Sequence, residues 1–247
     1  MIKIKNLKSR IKKFKYLYRN IHKIYVFYIN IKIKFKYIFG TRKDIFTDIY
    51  LNNKWGDKYS FSGTGSNLNQ TKIIIKELKN IIKKYKIKSI LDIPCGDFYW
   101  MKEFDFQDLN YIGADIVSEL VNENIKKFKK YNVNFQIVDL LIDKIPDSDL
   151  IFCRDCLVHF SFKDIFKAIN NLKKTNSKYL MTTNFVERNH NQDIPTGSWR
   201  TVNLCKPPFY FPEPSLIILE NCTEADKQFS DKALCLWELS KVPNYKF

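Results

Sequence analysis

The stretch Leu91-Asp92-Ile93-Pro94-Cys95-Gly96-Asp97 decides the predicted fold, because a buried strand ends within it and a polar turn follows. The apolar run at residues 87–92 predicts that strand, with Asp92 at its end. Gly96 lets the backbone approach a ligand closely, without a side chain in between. Asp92 and Asp97 make the turn acidic, and the glycine pattern G-x-G-x-x-G of dinucleotide-binding turns is absent. The turn therefore disfavours a pyrophosphate and favours a cationic ligand.

Extended and helical patterns alternate around this turn at the spacing of successive βα units. The predicted strands are residues 87–92, 111–115, 133–138, 150–153, 179–183, 216–220 and 233–239. No convincing helix separates the last two strands, and a tight connection joins antiparallel strands only. The sequence therefore predicts an α/β fold with a Rossmann-like, mostly parallel sheet, an antiparallel C-terminal strand and helices on both faces.

Three helices are predicted between these strands. Residues 70–85 place Ile74, Leu78, Ile81 and Ile82 on one face. A second helix turns Val121, Ile125 and Phe128 inward. A third begins at Ser161, whose hydroxyl caps it while Asp164 completes an acidic capping box, and its residues facing the sheet are Ile165, Ala168, Ile169 and Leu172.

Acidic residues follow three successive strands of the predicted sheet. Asp115 lies 23 residues after Asp92, close to the ~20-residue interval at which a carboxylate meets ribose hydroxyls in nucleotide-binding sheets. Asp139, just beyond the third strand, can accept a hydrogen bond from an adenine amine while Leu140 lies against the ring. Each acid alone is an ordinary strand-terminating residue. Together, at one edge of an open sheet, they predict a site for a nucleoside.

These motifs resemble those of class I S-adenosylmethionine-dependent methyltransferases over roughly residues 55–239. The sequence is similar to a little-characterised subgroup with an upstream Trp-Gly pair, here Trp55-Gly56, followed by Ser60-Phe61-Ser62-Gly63-Thr64-Gly65-Ser66. The same subgroup carries the Arg-Asp-Cys-Leu-x-His stretch found at residues 154–159 and the Leu-Asp-x-Pro-Cys-Gly-Asp turn.

The resemblance implies S-adenosyl-L-methionine as the cofactor, no metal, and a role for each matching residue. Gly96 backs onto the methionine moiety, Asp92 and Asp97 bind its ammonium, Asp115 takes the ribose, and Asp139 takes the adenine. The implied cofactor-binding set is Gly63, Gly65, Ser66, Asp92, Cys95, Gly96, Asp97, Asp115, Ile116, Asp139 and Leu140. Residues 63–66 would close over the cofactor, although such a segment also suits a flexible loop before a helix.

Histidine is the side chain best suited to act as a base near neutral pH, and the chain has only three. His159 follows the fourth strand, where the methyl acceptor stands in this fold. Arg154, Asp155 and His159 therefore form the predicted catalytic cluster, with Asp155 orienting the imidazole. The alternative is that His159 only binds nearby backbone. The polar loop 184–200 suits an acceptor lid, with Trp199 as a stacking surface for a sugar.

The net charge of +16 is distributed unevenly along the chain. Residues 1–43 hold fourteen Lys or Arg and no acid, so the other 28 basic and 26 acidic residues leave residues 44–247 near neutral, at +2. So small an excess argues against a nucleic-acid groove in the main domain. We therefore divide the chain into a basic N-terminal extension, residues 1–43, and a methyltransferase domain, residues 44–247.

The extension contains an apolar and aromatic stripe at helical spacing, flanked by lysine and arginine; the stripe is Leu7, Ile11, Phe14, Tyr18, Ile21, Tyr25 and Tyr28. Such a helix suits either an anionic membrane surface or a protein partner, the catalytic domain included. Its longest uncharged run, residues 24–31, is eight residues, too short against the ~20 that a spanning helix needs. Residues 31–37 alternate like a short strand.

The six cysteines are scattered, and no secretory signal precedes them, which predicts reduced thiols and a cytoplasmic protein, either free or associated with a membrane. Cys153 and Cys156 form one C-x-x-C pair without the further ligands that a tetrahedral zinc site needs.

The sequence thus predicts an O-methyltransferase acting on a small polar acceptor such as a glycan sugar. The alternatives are a protein or nucleic-acid acceptor, and a non-catalytic scaffold that keeps the fold.

Overall fold

A computed structural model describes residues 40–246, which form one seven-stranded sheet with helices around it. The strands are β1 (Ser89–Asp92), β2 (Asn110–Asp115), β3 (Val133–Ile137), β4 (Leu150–Cys153), β5 (Tyr179–Phe185), β6 (Leu216–Leu219) and β7 (Lys232–Glu238). Their order is β3-β2-β1-β4-β5-β7-β6. The first five strands in this order run parallel, while β7 is antiparallel to both β5 and β6. The predicted fold class is confirmed.

Four α-helices pack around the sheet: α1 (Arg42–Leu51), α2 (Leu68–Tyr85), α3 (Ser118–Lys127) and α4 (Phe162–Leu172). Helix α2, which was predicted over residues 70–85, begins two residues earlier than expected. Asn67 caps it, because its side chain accepts hydrogen bonds from the backbone N–H groups of Asn69 and Gln70. Helix α1 was not predicted. It buries Ile45, Ile49 and Tyr50.

The inward face of α3 differs from the prediction. Val121 is buried, but Ile125 is 42% exposed, and the other buried positions are Leu120 and Asn124. Phe128 lies just after the helix and packs against Phe98, with 4.9 Å between ring centroids. The expectation for Ile125 was wrong because α3 turns its 120–121–124 edge toward the sheet.

The N-terminus of α4 confirms the capping prediction. Ser161 Oγ accepts a hydrogen bond from the backbone N–H of Asp164, at 3.2 Å. The second link of the capping box, between the Ser161 N–H and the Asp164 carboxylate, is bridged by Thr196. The Thr196 hydroxyl accepts a hydrogen bond from Ser161 N–H and donates one to the Asp164 carboxylate. The four residues predicted to face the sheet are all fully buried.

Strand order reverses between β1 and β4, because the chain builds outward from β1 in one direction and from β4 in the other. Both strands are buried on both faces, as Leu91 and Ile151 illustrate. Polar side chains are therefore confined to the strand ends, and in open α/β sheets the crevice at such a reversal is where ligands bind.

The predicted amphipathic helix and the alternating segment at residues 31–37 lie outside the described residues. Within residues 40–246, no helix combines the length and the apolar character needed to cross a bilayer.

Candidate active site

A cleft opens at the carboxyl ends of the central strands, between α1, the loop 60–66 and the segment after β4. It encloses about 1110 Å³, including space open to solvent. The predicted cofactor residues that line it are Ser66, Asp92, Cys95, Gly96, Asp97, Asp115, Ile116, Asp139 and Leu140. Gly63 and Gly65, in the loop that carries Ser66, are not among the residues that line the cleft. All three predicted catalytic residues, Arg154, Asp155 and His159, also line the cleft.

Asp92 ends β1 with its side chain buried beneath the cleft. The Tyr111 hydroxyl donates to its carboxylate at 2.6 Å. Burial raises the pKa of Asp92 to about 7, against the opposing effect of the Tyr111 hydrogen bond. A positive charge in the cleft would restore the ionised form.

Asp115 ends β2 and faces the turn after β1. Its carboxylate accepts hydrogen bonds from the backbone N–H groups of Gly96, at 3.3 Å, and Val117, at 3.0 Å. Burial raises its pKa to about 6, and these N–H donors hold the rise in check. The Asp115 charge in turn contributes to the raised pKa of Asp92, so the two strand-end acids interact electrostatically.

Gly96 adopts the left-handed conformation, with φ of 54°. A Cβ at this position would overlap the Ser62 hydroxyl. Its carbonyl accepts a hydrogen bond from the Asn124 amide at 2.8 Å, a contact that the sequence did not reveal. Both the backbone conformation and the close approach of the loop require glycine here.

Asp97 binds the upstream loop. Its carboxylate accepts hydrogen bonds from Ser60 Oγ at 3.0 Å, Phe61 N–H at 2.8 Å and Ser62 Oγ at 3.2 Å. Ser62 Oγ also lies 3.0 Å from the Asp97 backbone nitrogen, which donates to it. The predicted loop and the predicted turn are therefore joined directly, and the Asp97 carboxylate is already engaged by protein donors.

Asp139 lies at the opposite end of the cleft, after β3. One carboxylate oxygen pairs with Arg42 Nη2 at 2.7 Å, and the other accepts from the backbone N–H of Leu141 at 2.9 Å. Arg42 begins α1, so this ion pair ties the helix to the sheet edge. Leu140, beside it, is buried and lines the cleft.

His159 ends a short 3-10 helix, Leu157–His159, and is half-buried at the cleft. Its Nδ1 lies 2.9 Å from the Ser198 carbonyl. A carbonyl oxygen only accepts, so Nδ1 carries the hydrogen and Nε2 is the acceptor of the neutral ring. Burial lowers the pKa of His159 below its usual value, with the Ser198 contact and the Asp155 charge acting in the opposite sense. The Trp55 ring lies against the imidazole, with centroids 5.0 Å apart.

The predicted hydrogen bond between Asp155 and the imidazole is not formed. The Ser198 carbonyl binds His159 Nδ1 instead. The Asp155 carboxylate pairs instead with Lys232 Nζ at 2.7 Å and Arg154 Nη1 at 3.2 Å. Although burial alone raises it, these two cations hold the pKa of the Asp155 carboxyl well below its usual range. Arg154 is itself buried, and Glu220 binds its guanidinium at 2.7 Å. Sequence reasoning missed Lys232 and Glu220.

The loop 184–200 supports His159 from behind. Gly197 N–H donates to the His159 carbonyl at 2.8 Å, and the buried Arg200 guanidinium donates to the carbonyls of Leu157 and Phe160, both at 2.7 Å. Trp199 packs against Phe229, with centroids 4.9 Å apart, and is not among the residues that line the cleft. The aromatic side chains at the cleft are Phe46, Tyr50, Trp55, Phe61, Trp100, Phe152 and Phe160.

Cys153 and Cys156 are both buried free thiols. Within residues 40–246, no three His, Cys, Asp or Glu side chains are grouped so that they could hold a metal ion.

Neither a protein-family model nor a curated protein sequence matches the chain. Among solved structures, PigF with SAH superposes with a TM-score of 0.57 at 11% identity, over 83% of this chain and 65% of that one. The citrinin polyketide synthase CMeT domain gives 0.48 at 14% identity, over 69% and 52%. Magnesium protoporphyrin IX methyltransferase (ChlM) from Synechocystis PCC 6803 with bound SAH gives 0.45 at 17%, over 58% and 72%.

The chain therefore spans less than two thirds of the PigF and CMeT structures. At 11% identity, the PigF superposition shows the fold alone. That fold is the Rossmann-like methyltransferase fold predicted from the sequence.

Proposed function

We propose that this chain is an S-adenosylmethionine-dependent methyltransferase. The observation that carries the proposal is the meeting of Asp92, Asp115 and Asp139, from three adjacent strand ends, at one cleft. Buried acids with raised pKa values favour a cationic ligand over a phosphate. The presence of SAH, the demethylated cofactor, in the PigF structure of the same fold is consistent with this choice.

The residues present fit this cofactor. Asp115 would accept the ribose hydroxyls, Asp92 would face the ammonium, and Leu140 would lie against the adenine. Asp97 contributes mainly by fixing the upstream loop, since its oxygens already bind Ser60 and Ser62. When bound, S-adenosylmethionine supplies a methyl group on a positively charged sulfur.

O-methylation is the reaction that the His159 environment supports. A hydroxyl acceptor needs a base near the transferring methyl group, and a neutral imidazole with Nε2 unprotonated can take that proton. Burial favours the neutral ring, and the Ser198 carbonyl at Nδ1 selects the tautomer that leaves Nε2 unprotonated. The rest of the task is alignment of the acceptor with the methyl group, which the cleft walls would provide.

The acceptor that we propose is a small, neutral, polar molecule such as a glycan sugar. The walls beside His159 are the rings of Phe46, Trp55 and Phe160, and aromatic faces pack well against the C–H faces of a sugar. Arg154 is committed to Glu220, Asp155 and the Gly65 carbonyl, so it offers little to a phosphate group.

Transfer of isotope-labelled methyl groups from S-adenosylmethionine to fractions of a cell extract tests this proposal. Label is expected in a small-molecule or glycan fraction with wild-type protein, to fall by ~10²–10⁴-fold with His159→Ala, and to persist with the surface variant Lys241→Met. Label in RNA or protein fractions would favour the alternative acceptors. A wild-type protein that binds no cofactor would favour the scaffold.

For residues 1–43 we propose a peripheral contact between the methyltransferase domain and an anionic membrane surface, on the cytoplasmic side. The support is the aromatic stripe flanked by lysines and the fourteen basic residues of a segment that contains no acid.

A further inference from the structure

A group of four charges lies beside the cleft, and two of them, Arg154 and Asp155, are part of its lining. Arg154 and Asp155 follow β4, Glu220 follows β6, and Lys232 begins β7. The Arg154, Glu220 and Lys232 side chains are at most 6% exposed. Two cations balance two anions, and Glu220 lies 2.7 Å from Arg154 and 3.5 Å from Lys232.

One hydrogen bond connects this charge cluster to the loop that contains Gly65. Arg154 Nη2 donates to the backbone carbonyl of Gly65 at 2.9 Å, in addition to its bond to Glu220. The loop also approaches the cluster closely, because a Cβ on Gly65 would lie 3.2 Å from an Asp155 oxygen and 3.4 Å from Lys232 Nζ. A side chain at position 65 would therefore fit only if the loop or these charged side chains shifted by a few tenths of an ångström.

The connection between β6 and β7 holds the same loop from outside. The Thr64 hydroxyl donates to the Glu224 carboxylate. Gln70, in the first turn of α2, exchanges two hydrogen bonds with Thr223, at 2.7 and 3.2 Å. The loop is thus attached to the antiparallel end of the sheet on both sides of Gly65.

We propose that Arg154 is a positioning residue that clamps the Gly63–Ser66 loop over the cleft, and that Glu220 and Lys232 hold Arg154 in place for this task. Glu220 fixes the guanidinium plane through Nε and Nη2. Lys232 pairs with the Asp155 carboxylate, which also contacts Arg154 Nη1, while Arg154 Nη2 reaches the loop. Buried ion clusters are seldom more stabilising than apolar packing of the same volume, so stability alone does not account for four charges at this place.

Backbone hydrogen exchange on the full chain, without ligand, tests the clamp. Arg154→Lys keeps the charge but cannot serve Glu220 and Gly65 together. Gly65→Ala places a methyl group 3.2 Å from an Asp155 oxygen and so crowds the contact between the loop and the charges. Both variants are expected to raise exchange in residues 60–66 by about tenfold, the effect of one lost hydrogen bond, while the amides of β1, β2 and β4 keep wild-type rates. Lys241→Met, which removes an exposed ion pair with Glu238 at the end of β7, is the matched control.

The second readout is the dissociation rate of SAH, which should rise about tenfold in both variants, with the Lys241→Met rate unchanged. Wild-type exchange rates for residues 60–66 in both variants would contradict the clamp. An increase in exchange spread evenly over all seven strands would contradict it too. If Arg154→Lys does not fold, Gly65→Ala decides. If wild-type protein binds no SAH, the proposed function fails, and hydrogen exchange alone still decides whether the clamp exists.

Discussion

Two buried carboxylates set the electrostatics of the cleft. Asp92 and Asp115 end adjacent strands, and burial raises their pKa values to about 7 and about 6. In the free protein both groups therefore take up protons as the pH falls from about 8 to about 5. A ligand that carries an ammonium and a sulfonium favours their ionised forms and must expel these protons when it binds.

Cofactor affinity should consequently increase with pH. S-adenosylmethionine is expected to bind about tenfold more weakly at pH 6 than at pH 8, because protons compete with it at Asp92 and Asp115. Calorimetry in two buffers of different ionisation enthalpy measures both the affinity and the protons released. An affinity that is constant over this range, with no proton release, would show that the acids do not face the positive charges.

The pH dependence of turnover reports on His159. A base must be deprotonated to act, so activity rises with pH through the pKa of His159. Because burial lowers that pKa below its ordinary value of 6.5, the acid limb of kcat should lie below pH 6.5. Initial rates between pH 5 and pH 8 measure it, at saturating cofactor. An acid limb that is unchanged in His159→Gln would assign it to another group.

At the scale of elements, the strand ends were predictable and their partners were not. β1, β2 and β4 are short apolar runs ending at a polar residue, and that contrast is visible in the residues themselves. The observed boundaries of β4 match those predicted, and β2 begins one residue earlier. The strand-end acids could therefore be assigned to one sheet edge before any contact was known.

Helix α1 and the charge cluster were missed for different reasons. The spacing of Ile45 and Ile49 is a helical signal, but it stands next to the basic extension and within one short segment. Lys232 and Glu220 carry no local signal at all. Lys232 lies 77 residues from its partner Asp155, and Glu220 lies 66 residues from Arg154. Only the pairing of β7 with β5 and of β6 with β7 brings them together.

The contact between the β1 turn and the upstream loop can be tested with Gly96→Ala. The left-handed φ costs about 1–2 kcal/mol for alanine, and the added methyl group overlaps the Ser62 hydroxyl. We expect a lower free energy of unfolding and weaker SAH binding. The double variant Gly96→Ala/Ser62→Gly removes the overlap and should recover part of the stability, as measured by denaturant unfolding. Wild-type stability in Gly96→Ala would contradict the geometry of this turn.

For the whole molecule, the uneven distribution of charge separates two tasks. Residues 44–247 carry +2 and hold the cleft, whereas residues 1–43 carry fourteen basic side chains. The total charge of +16 alone would suggest a protein that binds nucleic acid. The distribution of this charge instead indicates a nearly neutral domain with a basic extension.

The extension should bind anionic vesicles. Each lysine near such a surface contributes about 1 kcal/mol, so replacing Lys8, Lys12 and Lys15 by Gln should weaken binding to phosphatidylserine vesicles by about two powers of ten. Flotation measures this, with phosphatidylcholine vesicles as the control, and SAH affinity should not change. Equal binding to both vesicle types would point to a protein partner instead.

Titration of SAH into the full chain by calorimetry tests the central claim most directly. One molecule should bind per chain, and Asp115→Ala should weaken binding by about tenfold to a hundredfold, the effect of losing hydrogen bonds to a charged group. The exposed-carboxylate control Asp105→Ala should bind like wild type. No binding to the wild-type chain, or equal binding to Asp115→Ala, would contradict a cofactor site built from the strand-end acids.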